Sequence, residues 1–181
     1  MAFSNKVFIA TSIDGYIADV HGNIEWLDSI PNPDGIDMGY YAFFDGIDAI
    51  LMGRNSFEKV LSFGIEWPYT KPVFVLSKTQ KSIPTELHSK VEILGGEIDY
   101  ILEKVHQLGY HNLYIDGGKT IQNFLKEDKI DEMIITIIPQ LLGGGISLFG
   151  EMDNSLSFEC VETKHFLGKI AQNHYIRNNR N

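Results

Sequence analysis

The segment Leu113-Tyr114-Ile115-Asp116-Gly117-Gly118-Lys119-Thr120 passes from an apolar run through two glycines into a stretch with helical spacing. Leu113–Ile115 has the composition of a buried strand, and Ile121, Phe124 and Leu125 recur at the spacing of one helix face. A strand that turns directly into a helix is the repeating unit of α/β proteins. We therefore expect strands and helices to alternate along the chain.

Similar apolar runs recur through the first three quarters of the chain. They are rich in Val, Ile and Phe and lack polar alternation, which indicates strands buried on both faces of a mostly parallel sheet. Between two of them, Ile98–Val105 has helical spacing. At the carboxyl end, polar alternation over Leu156–Cys160, a turn signal at Gly168 and a strand-like run at His174–Ile176 predict an antiparallel hairpin. The predicted buried strands are Val7–Ala10, Ala49–Met52, Val73–Leu76, Leu113–Ile115 and Met133–Ile138.

Composition restricts the class of protein. With 181 residues, 44% of them hydrophobic, the chain can bury one core, so we expect a single domain spanning residues 1–181. A net charge of −9 disfavours nonspecific binding to nucleic acid or anionic membranes, and no apolar stretch reaches the roughly 18 residues of a membrane span. Cys160 is the only cysteine, so no intrachain disulfide forms. We expect a cytoplasmic protein that binds small molecules, not nucleic acid or membranes.

The junction Asp116–Thr120 has the features of a cradle for a phosphate group. Gly117 and Gly118 would let a phosphate approach backbone N–H groups at the positive end of the following helix. The Gly-Lys-Thr tripeptide also suggests a nucleotide triphosphatase, but that motif requires a glycine where Leu113 stands. A glycine pair that serves only a tight turn is the alternative interpretation.

Two further strand ends carry cations. Arg54 follows the second apolar run and Lys78 follows the third. Because the carboxyl ends of parallel strands meet at one edge of a sheet, these cations should join Lys119 in a local positive cluster. Each alone is typical of a solvated surface residue, whereas three converging junctions favour a dinucleotide site. The residues selected at the three junctions are Gly53, Arg54, Ser56, Ser77, Lys78, Asp116, Gly117, Gly118, Lys119 and Thr120.

Other kinds of site are disfavoured or undecided. Neither Thr11–Ala18 nor Gly143–Leu148 matches the Gly-x-Gly-x-x-Gly fingerprint of Rossmann dehydrogenases. The six histidines show no pair at helical ligand spacing and no flanking acidic motif, so we predict no metal site. Trp26 and the segment Trp67–Tyr69 either line a pocket for a flat ring or belong to the core.

Asp37 is the carboxylate that the spacing indicates as a catalytic acid. A helix that begins near it would place Tyr40, Tyr41 and Phe44 on the same face. Desolvation among these rings would raise the pKa of Asp37 and suit it to protonate a substrate nitrogen. In the alternative interpretation, Asp37 caps the helix start and its side chain stays in water.

Several strings together resemble the dihydrofolate reductase superfamily over nearly the whole chain. Three of them match Ser-x-Asp-Gly-x-Ile-Ala, Asp-Ala-x-x-x-Gly-Arg and Pro-x-x-x-Gly-Gly-Gly-x-x-Leu-Phe of stand-alone bacterial proteins related to the reductase domain of the riboflavin-pathway deaminase-reductase. Here those strings are Ser12–Ala18, Asp48–Arg54 and Pro139–Phe149. The resemblance implies a three-layer α/β fold, with a mixed, mostly parallel sheet, helices on both faces and a C-terminal antiparallel hairpin.

The resemblance also implies NADPH as cofactor and hydride transfer to a carbon–nitrogen or carbon–oxygen double bond of a small heterocycle. By position, Arg54, Ser77 and Lys78 would meet the adenosine 2′-phosphate, and Gly117–Thr120 would hold the pyrophosphate. A homodimer is expected from the family and from the apolar carboxyl-terminal strands, which leave an edge to cover. The residues that would cover the nicotinamide are Ala10, Asp14, Gly15 and Ile17.

Departures from the family patterns leave the substrate open. Folate reductases carry an arginine just before the third apolar run, whereas Lys71 stands in this neighbourhood. The riboflavin reductase carries Asp-x-Pro-x-Leu-x-Arg after its glycine-rich junction, and Asn55–Ser62 has no such string. Reduction of 5-amino-6-(5-phosphoribosylamino)uracil is the nearest named activity. Dihydrofolate reduction and a non-catalytic NADP-binding or sensing role are the alternatives.

Overall fold

The structure is a computed structural model that describes residues 3–79 and 82–178. The strands are β1 (Ser4–Ser12), β2 (Tyr16–Ala18), β3 (Ala49–Gly53), β4 (Val73–Leu76), β5 (Val91–Leu94), β6 (Asn112–Asp116), β7 (Glu132–Ile138), β8 (Ile146–Ser147), β9 (Phe158–Phe166) and β10 (Ile170–Arg177). The α-helices are α1 (Tyr40–Asp45), α2 (Arg54–Ser62), α3 (Ile98–Gln107) and α4 (Gly118–Lys126), and short 3-10 helices span Glu25–Ser29 and Thr85–Leu87.

The main sheet is mixed and mostly parallel. Its eight strands lie in the order β5-β4-β3-β6-β1-β7-β10-β9. All neighbours from β5 to β7 pair in parallel, and the hairpin β9–β10 joins the sheet antiparallel to β7. The predicted sheet and its C-terminal hairpin are therefore confirmed. A separate two-stranded antiparallel ribbon pairs β2 with β8.

Helices cover both faces of the sheet, as the predicted three-layer arrangement requires. On one face, Leu51 and Ile115 lie in the same buried cluster as Phe124 of α4 and the apolar side of α3. On the other face, Ile50 packs in a cluster with Phe57 of α2 and with α1. Phe57 and Phe124 are almost fully buried. Burying a phenylalanine side chain stabilises the fold by about 1.5–3 kcal/mol, so both helices are firmly seated against the sheet.

The strands β3, β4 and β6 end at one edge of the sheet, and this edge positions the site. Four of the five residues of β3 and three of the four residues of β4 are buried, which explains why their sequences lack polar alternation. Their apolar runs stop where helices or loops begin. Polar and glycine residues thus gather at the carboxyl ends of neighbouring strands. Within residues 3–79 and 82–178, no helix is long and apolar enough to cross a membrane.

Candidate functional site

Two helix N-termini lie side by side at the carboxyl edge of the sheet. Helix α2 follows β3 directly, α4 follows β6, and these two strands are neighbours. A Cβ atom on Gly53 would stand 2.7 Å from Thr120 Oγ1, and one on Gly117 would collide with Ser56 Oγ. Gly117 also has φ +93°, a conformation that favours glycine. Only glycines therefore allow the two helix starts to approach this closely.

This arrangement concentrates positive potential at one point. The first N–H groups of a helix have no intrahelical partner, and the helix dipole places partial positive charge at the same end. Two such ends side by side form a site for an anion with more than one charged group. The predicted phosphate cradle at Gly117 and Gly118 is thus extended by Gly53 and the start of α2.

A cleft of about 980 Å³ runs along these strand ends. Residues from all three predicted junctions and from the end of β1 line it. Asp14, Gly15 and Asp37 are the predicted site residues that do not line it. Those that do are Ala10, Ile17, Gly53, Arg54, Ser56, Ser77, Lys78, Asp116, Gly117, Gly118, Lys119 and Thr120.

Cationic side chains outnumber carboxyl groups in the lining of the cleft. In the part of the chain that the structure describes, its cationic side chains are Arg54, Lys59, Lys78 and Lys119, and its one carboxyl group is Asp116. In a chain of net charge −9, such an excess of cations gives the cleft a local potential that favours anions.

Asp14 and Gly15 hold a loop in place and stay outside the lining of the cleft. The Asp14 carboxylate accepts hydrogen bonds from Ser12 Oγ at 2.6 Å, from Gly143 N at 2.7 Å and from Leu142 N at 3.1 Å. The Ser12 hydroxyl and these backbone N–H groups lower the pKa of Asp14. Gly15 O accepts a hydrogen bond from Leu148 N. Both residues therefore fix the β2–β8 ribbon, and a role for them in covering the nicotinamide stays a prediction.

The glycine run before β8 lets the ribbon close over the cradle. Gly145 has φ +147°, and a Cβ atom there would collide with the backbone oxygen of Ala18. A Cβ atom on Gly118 would stand 2.8 Å from Ile17 Cδ1 and 3.1 Å from Ile146 Cγ2. The ribbon thus packs against the start of α4 and brings Ile17 to the cleft.

The prediction that Asp37 lies desolvated among aromatic rings is wrong. Its side chain is exposed and accepts hydrogen bonds from Tyr41 N at 2.8 Å and Gly39 N at 3.2 Å. These two N–H groups lower the pKa of Asp37. Met38 and Gly39 both have positive φ, so α1 begins only at Tyr40 and Asp37 points into water. The alternative interpretation, a carboxylate that caps the chain entering the helix, is confirmed.

Asp116 has the environment that the sequence analysis expected for Asp37. It stands at the end of β6, half-buried in the cleft. Burial raises the pKa of the Asp116 carboxyl, although hydrogen bonds from the Tyr114 hydroxyl, the Gly117 N–H and the Ser56 hydroxyl act in the opposite direction. Sequence reasoning selected Asp116 for the phosphate cradle but missed this property, because the groups around it come from β6, α1 and α2.

Three tyrosines surround this carboxyl group. Burial, followed by the nearby Asp116 charge, raises the pKa of Tyr40 to about 12 and raises the pKa values of Tyr69 and Tyr114 as well. All three hydroxyls therefore stay protonated at neutral pH. Tyr69 lines the cleft, whereas Trp67 packs edge-to-face against it and against the core.

The hydroxyl of Tyr114 contacts both the backbone of β1 and the Asp116 carboxyl. Tyr114 Oη lies 2.9 Å from the carbonyl oxygen of Phe8 and 3.3 Å from Asp116 Oδ1. The hydrogen bond that Tyr114 donates to Asp116 lowers the pKa of this carboxyl, whereas burial has the larger effect and raises it. Burial therefore makes Asp116 the candidate proton donor of the cleft.

The remaining candidates are part of the structure's framework. Trp26 is buried in a small cluster with Ile138 and Ile170 and does not line the cleft. Among residues 3–79 and 82–178, no three His, Cys, Asp or Glu side chains gather so that they could hold a metal ion.

Comparisons with known proteins agree with this architecture. The model of the RibD C-terminal domain family matches residues 6–171. A crystal structure from Shewanella sp. PV-4, provisionally named a riboflavin biosynthesis protein, is 50% identical, with TM-score 0.95, and the match covers 97% of this chain and 99% of that one. The uncharacterized protein YwjB of Bacillus subtilis (strain 168) is 36% identical over 173 residues, 94% of this chain and 96% of YwjB.

Dihydrofolate reductases have a similar fold. The enzyme from Enterococcus faecalis, solved with NADP(H) and RAB-propyl, superposes with TM-score 0.64 at 17% identity, over 97% of each chain. At this identity the likeness shows a shared dihydrofolate reductase-like fold. The family match over residues 6–171 is more specific, and the chain belongs to the RibD C-terminal domain family.

Proposed function

We propose that the chain is an NADPH-dependent reductase that transfers hydride to a small pyrimidine- or pterin-like heterocycle. The nearest named activity is the reduction of 5-amino-6-(5-phosphoribosylamino)uracil in riboflavin biosynthesis. One observation carries the proposal: a single cleft of an acidic chain combines two helix N-termini, an excess of cations and one carboxyl group with a raised pKa. Membership of the RibD C-terminal domain family supports it.

The residues of the cleft fit a phosphorylated dinucleotide. Arg54, Ser77 and Lys78 would hold the 2′-phosphate, because they lie at the ends of the neighbouring strands β3 and β4. The N–H groups at Gly117–Thr120 would hold the pyrophosphate in the space that the glycines leave open. Ala10, together with Ile17, would flank the nicotinamide, which supplies the hydride. The related fold of the Enterococcus faecalis enzyme, solved with NADP(H), supports this assignment.

Asp116 would supply the proton. When the carbon of a C=N or C=O group is reduced, its nitrogen or oxygen gains negative charge and must be protonated. Ser56, Tyr114 and Gly117 hold the Asp116 carboxyl at the cleft wall, and burial raises its pKa, which favours the protonated form that an acid needs. The proton lost in each turnover would be replaced from solvent at the open side of the cleft.

Oxidation of NADPH, followed by its absorbance, tests this function on pterins, pyrimidines, quinones and nitroaromatics. We expect turnover of at least one heterocycle. Asp116→Asn should leave NADPH affinity unchanged but reduce kcat about 100-fold, the usual contribution of a general acid. Asp37→Asn is the matched control and should keep full activity, since its carboxylate is exposed.

Two results would count against the proposal. Full turnover by Asp116→Asn would remove Asp116 as the acid. NADPH binding without turnover of any compound would instead favour the non-catalytic NADP-binding alternative.

A further inference from the structure

One cation that lines the cleft is not among the proposed contacts of the cofactor. Arg54, Lys78 and Lys119 stand at the three junctions assigned to the phosphates of NADPH. Lys59 lines the same cleft from the last turn of α2 and is half-buried. Its position corresponds to none of those junctions.

Lys59 shares one face of α2 with the residues next to Asp116. Ser56, Lys59, Val60 and Phe63 are spaced three, four and seven residues apart and all line the cleft. Ser56 hydrogen-bonds Asp116, so this face leads away from the acid. At about 1.5 Å per residue, Lys59 lies about 5 Å farther along the helix axis than Ser56.

The ammonium group of Lys59 is available to a ligand. It lies 5.9 Å from the centre of the Phe63 ring, and no carboxylate of residues 3–79 or 82–178 forms an ion pair with it. By contrast, Arg54 Nε lies 3.9 Å from Glu58 and Lys78 Nζ lies 3.6 Å from Glu97.

Exposed apolar side chains line the same cleft as this cation. Phe63 is 45% exposed and Val20 is 71% exposed, and both line the cleft. Burying large apolar groups under a flat ring removes their surface from water and is favourable.

We infer that Lys59 binds an anionic substituent of the substrate, a phosphate or a carboxylate, while the substrate's flat ring lies along Val60 and Phe63 with one edge at Asp116. The inference rests on the proposed function, in which NADPH occupies the neighbouring half of the cleft. It assigns recognition of the substrate's charge to α2, although the chain lacks the arginine-containing string of the riboflavin reductase.

Calorimetric titrations at saturating NADP⁺ test the inference, because the cofactor then fills the other phosphate sites. Uridine 5′-monophosphate is compared with uridine, and folate with its dimethyl ester, so that the two arms separate phosphate from carboxylate. In at least one arm, the anionic member should bind about tenfold more tightly, as expected for one charge-assisted hydrogen bond. This ratio should fall to about one in Lys59→Met and be kept in Lys59→Arg.

Lys90→Met is the matched control, since Lys90 is exposed and does not line the cleft. It should leave every ratio unchanged. A preference for the anion that survives in Lys59→Met, or no preference in the unmodified protein, overturns the inference. So does a failure of all four compounds to bind while NADPH still binds.

Titration of the same variants with NADPH separates this inference from the function on which it rests. Equal NADPH affinity in the unmodified protein and in Lys59→Met supports the assignment to the substrate. Weaker NADPH binding by Lys59→Met overturns it, because Lys59 would then be a cofactor contact. If the unmodified protein does not bind NADPH, the proposed function fails as well.

Discussion

Asp37 and Asp116 carry the same side chain but have opposite pKa shifts. Exposed backbone N–H groups stabilise the ionised form of Asp37, whereas burial stabilises the neutral form of Asp116. Helical spacing predicted a desolvated Asp37, which is wrong because positive φ angles at Met38 and Gly39 delay the start of α1. The surroundings of Asp116 include Ser56, which is distant in sequence. Such contacts depend on the packed fold and do not follow from local patterns.

The raised pKa of Asp116 predicts that this carboxyl lowers the stability of the folded protein at neutral pH. A carboxyl group whose folded pKa is raised stabilises the protein below its unfolded pKa, and this contribution is lost as the pH rises through the folded value. At neutral pH, Asp116→Asn should therefore raise Tm, because the amide is neutral at every pH and escapes the cost of burying a charge.

Thermal unfolding of Asp116→Asn between pH 4 and pH 8 checks this prediction. The difference in Tm from the unmodified protein should shrink as the pH falls, since both side chains are then neutral. Asp34→Asn, at an exposed position, serves as control. The prediction concerns the Tm of Asp116→Asn minus the Tm of the unmodified protein. If this difference were smaller at pH 8 than at pH 4, burial would not be raising the pKa of Asp116.

At the scale of elements, strands buried on both faces were predictable, whereas strands with an exposed position or with contacts only from distant segments were not. The runs at β3, β4, β6 and β7 appear nearly at the predicted bounds because burial on both faces leaves a clear signal. The strand β5 has four residues, and its Glu92 is exposed. The ribbon β2–β8 is stabilised by contacts from elsewhere in the fold, including the carboxylate of Asp14.

The hydrogen bonds of Asp14 should control the opening of this ribbon. In Asp14→Ala, the Leu142 and Gly143 N–H groups lose their acceptor, so their hydrogen exchange should accelerate about tenfold while Tm changes little. The folded pKa of Asp14 is lowered, so its stabilising effect is present above the ordinary carboxyl pKa and is lost as the pH falls through the lower value.

Exchange measured by mass spectrometry, corrected for intrinsic rates, checks this expectation. Asp34→Ala should leave the exchange of residues 141–147 unchanged. Unaltered exchange in Asp14→Ala would mean that other contacts hold the ribbon closed.

At the scale of the whole molecule, the edge of the sheet suggests how copies of the chain associate. The nine-residue strand β9 forms one edge, and Glu159–His165 are exposed on both faces. An unpaired edge of this length favours pairing with another strand. We propose that a second copy covers β9.

Sedimentation should show a dimer for the unmodified protein. A variant with both Val161→Lys and Thr163→Lys should sediment as a monomer, since like charges that face each other across paired strands of two copies repel. Leu141→Lys, which adds one lysine at an exposed loop position away from β9, should remain dimeric. A monomeric unmodified protein would contradict this proposal and leave the proposed chemistry of the cleft untouched.

Residues from several strand ends line one cleft, for which we propose a phosphorylated dinucleotide as the ligand. Titration with NADPH and with NADH, followed by nicotinamide fluorescence, tests it most directly. We predict saturable binding of NADPH, at least about tenfold tighter than that of NADH, and loss of this preference in Arg54→Ala but not in Lys90→Ala. Absence of NADPH binding at millimolar cofactor would contradict the account.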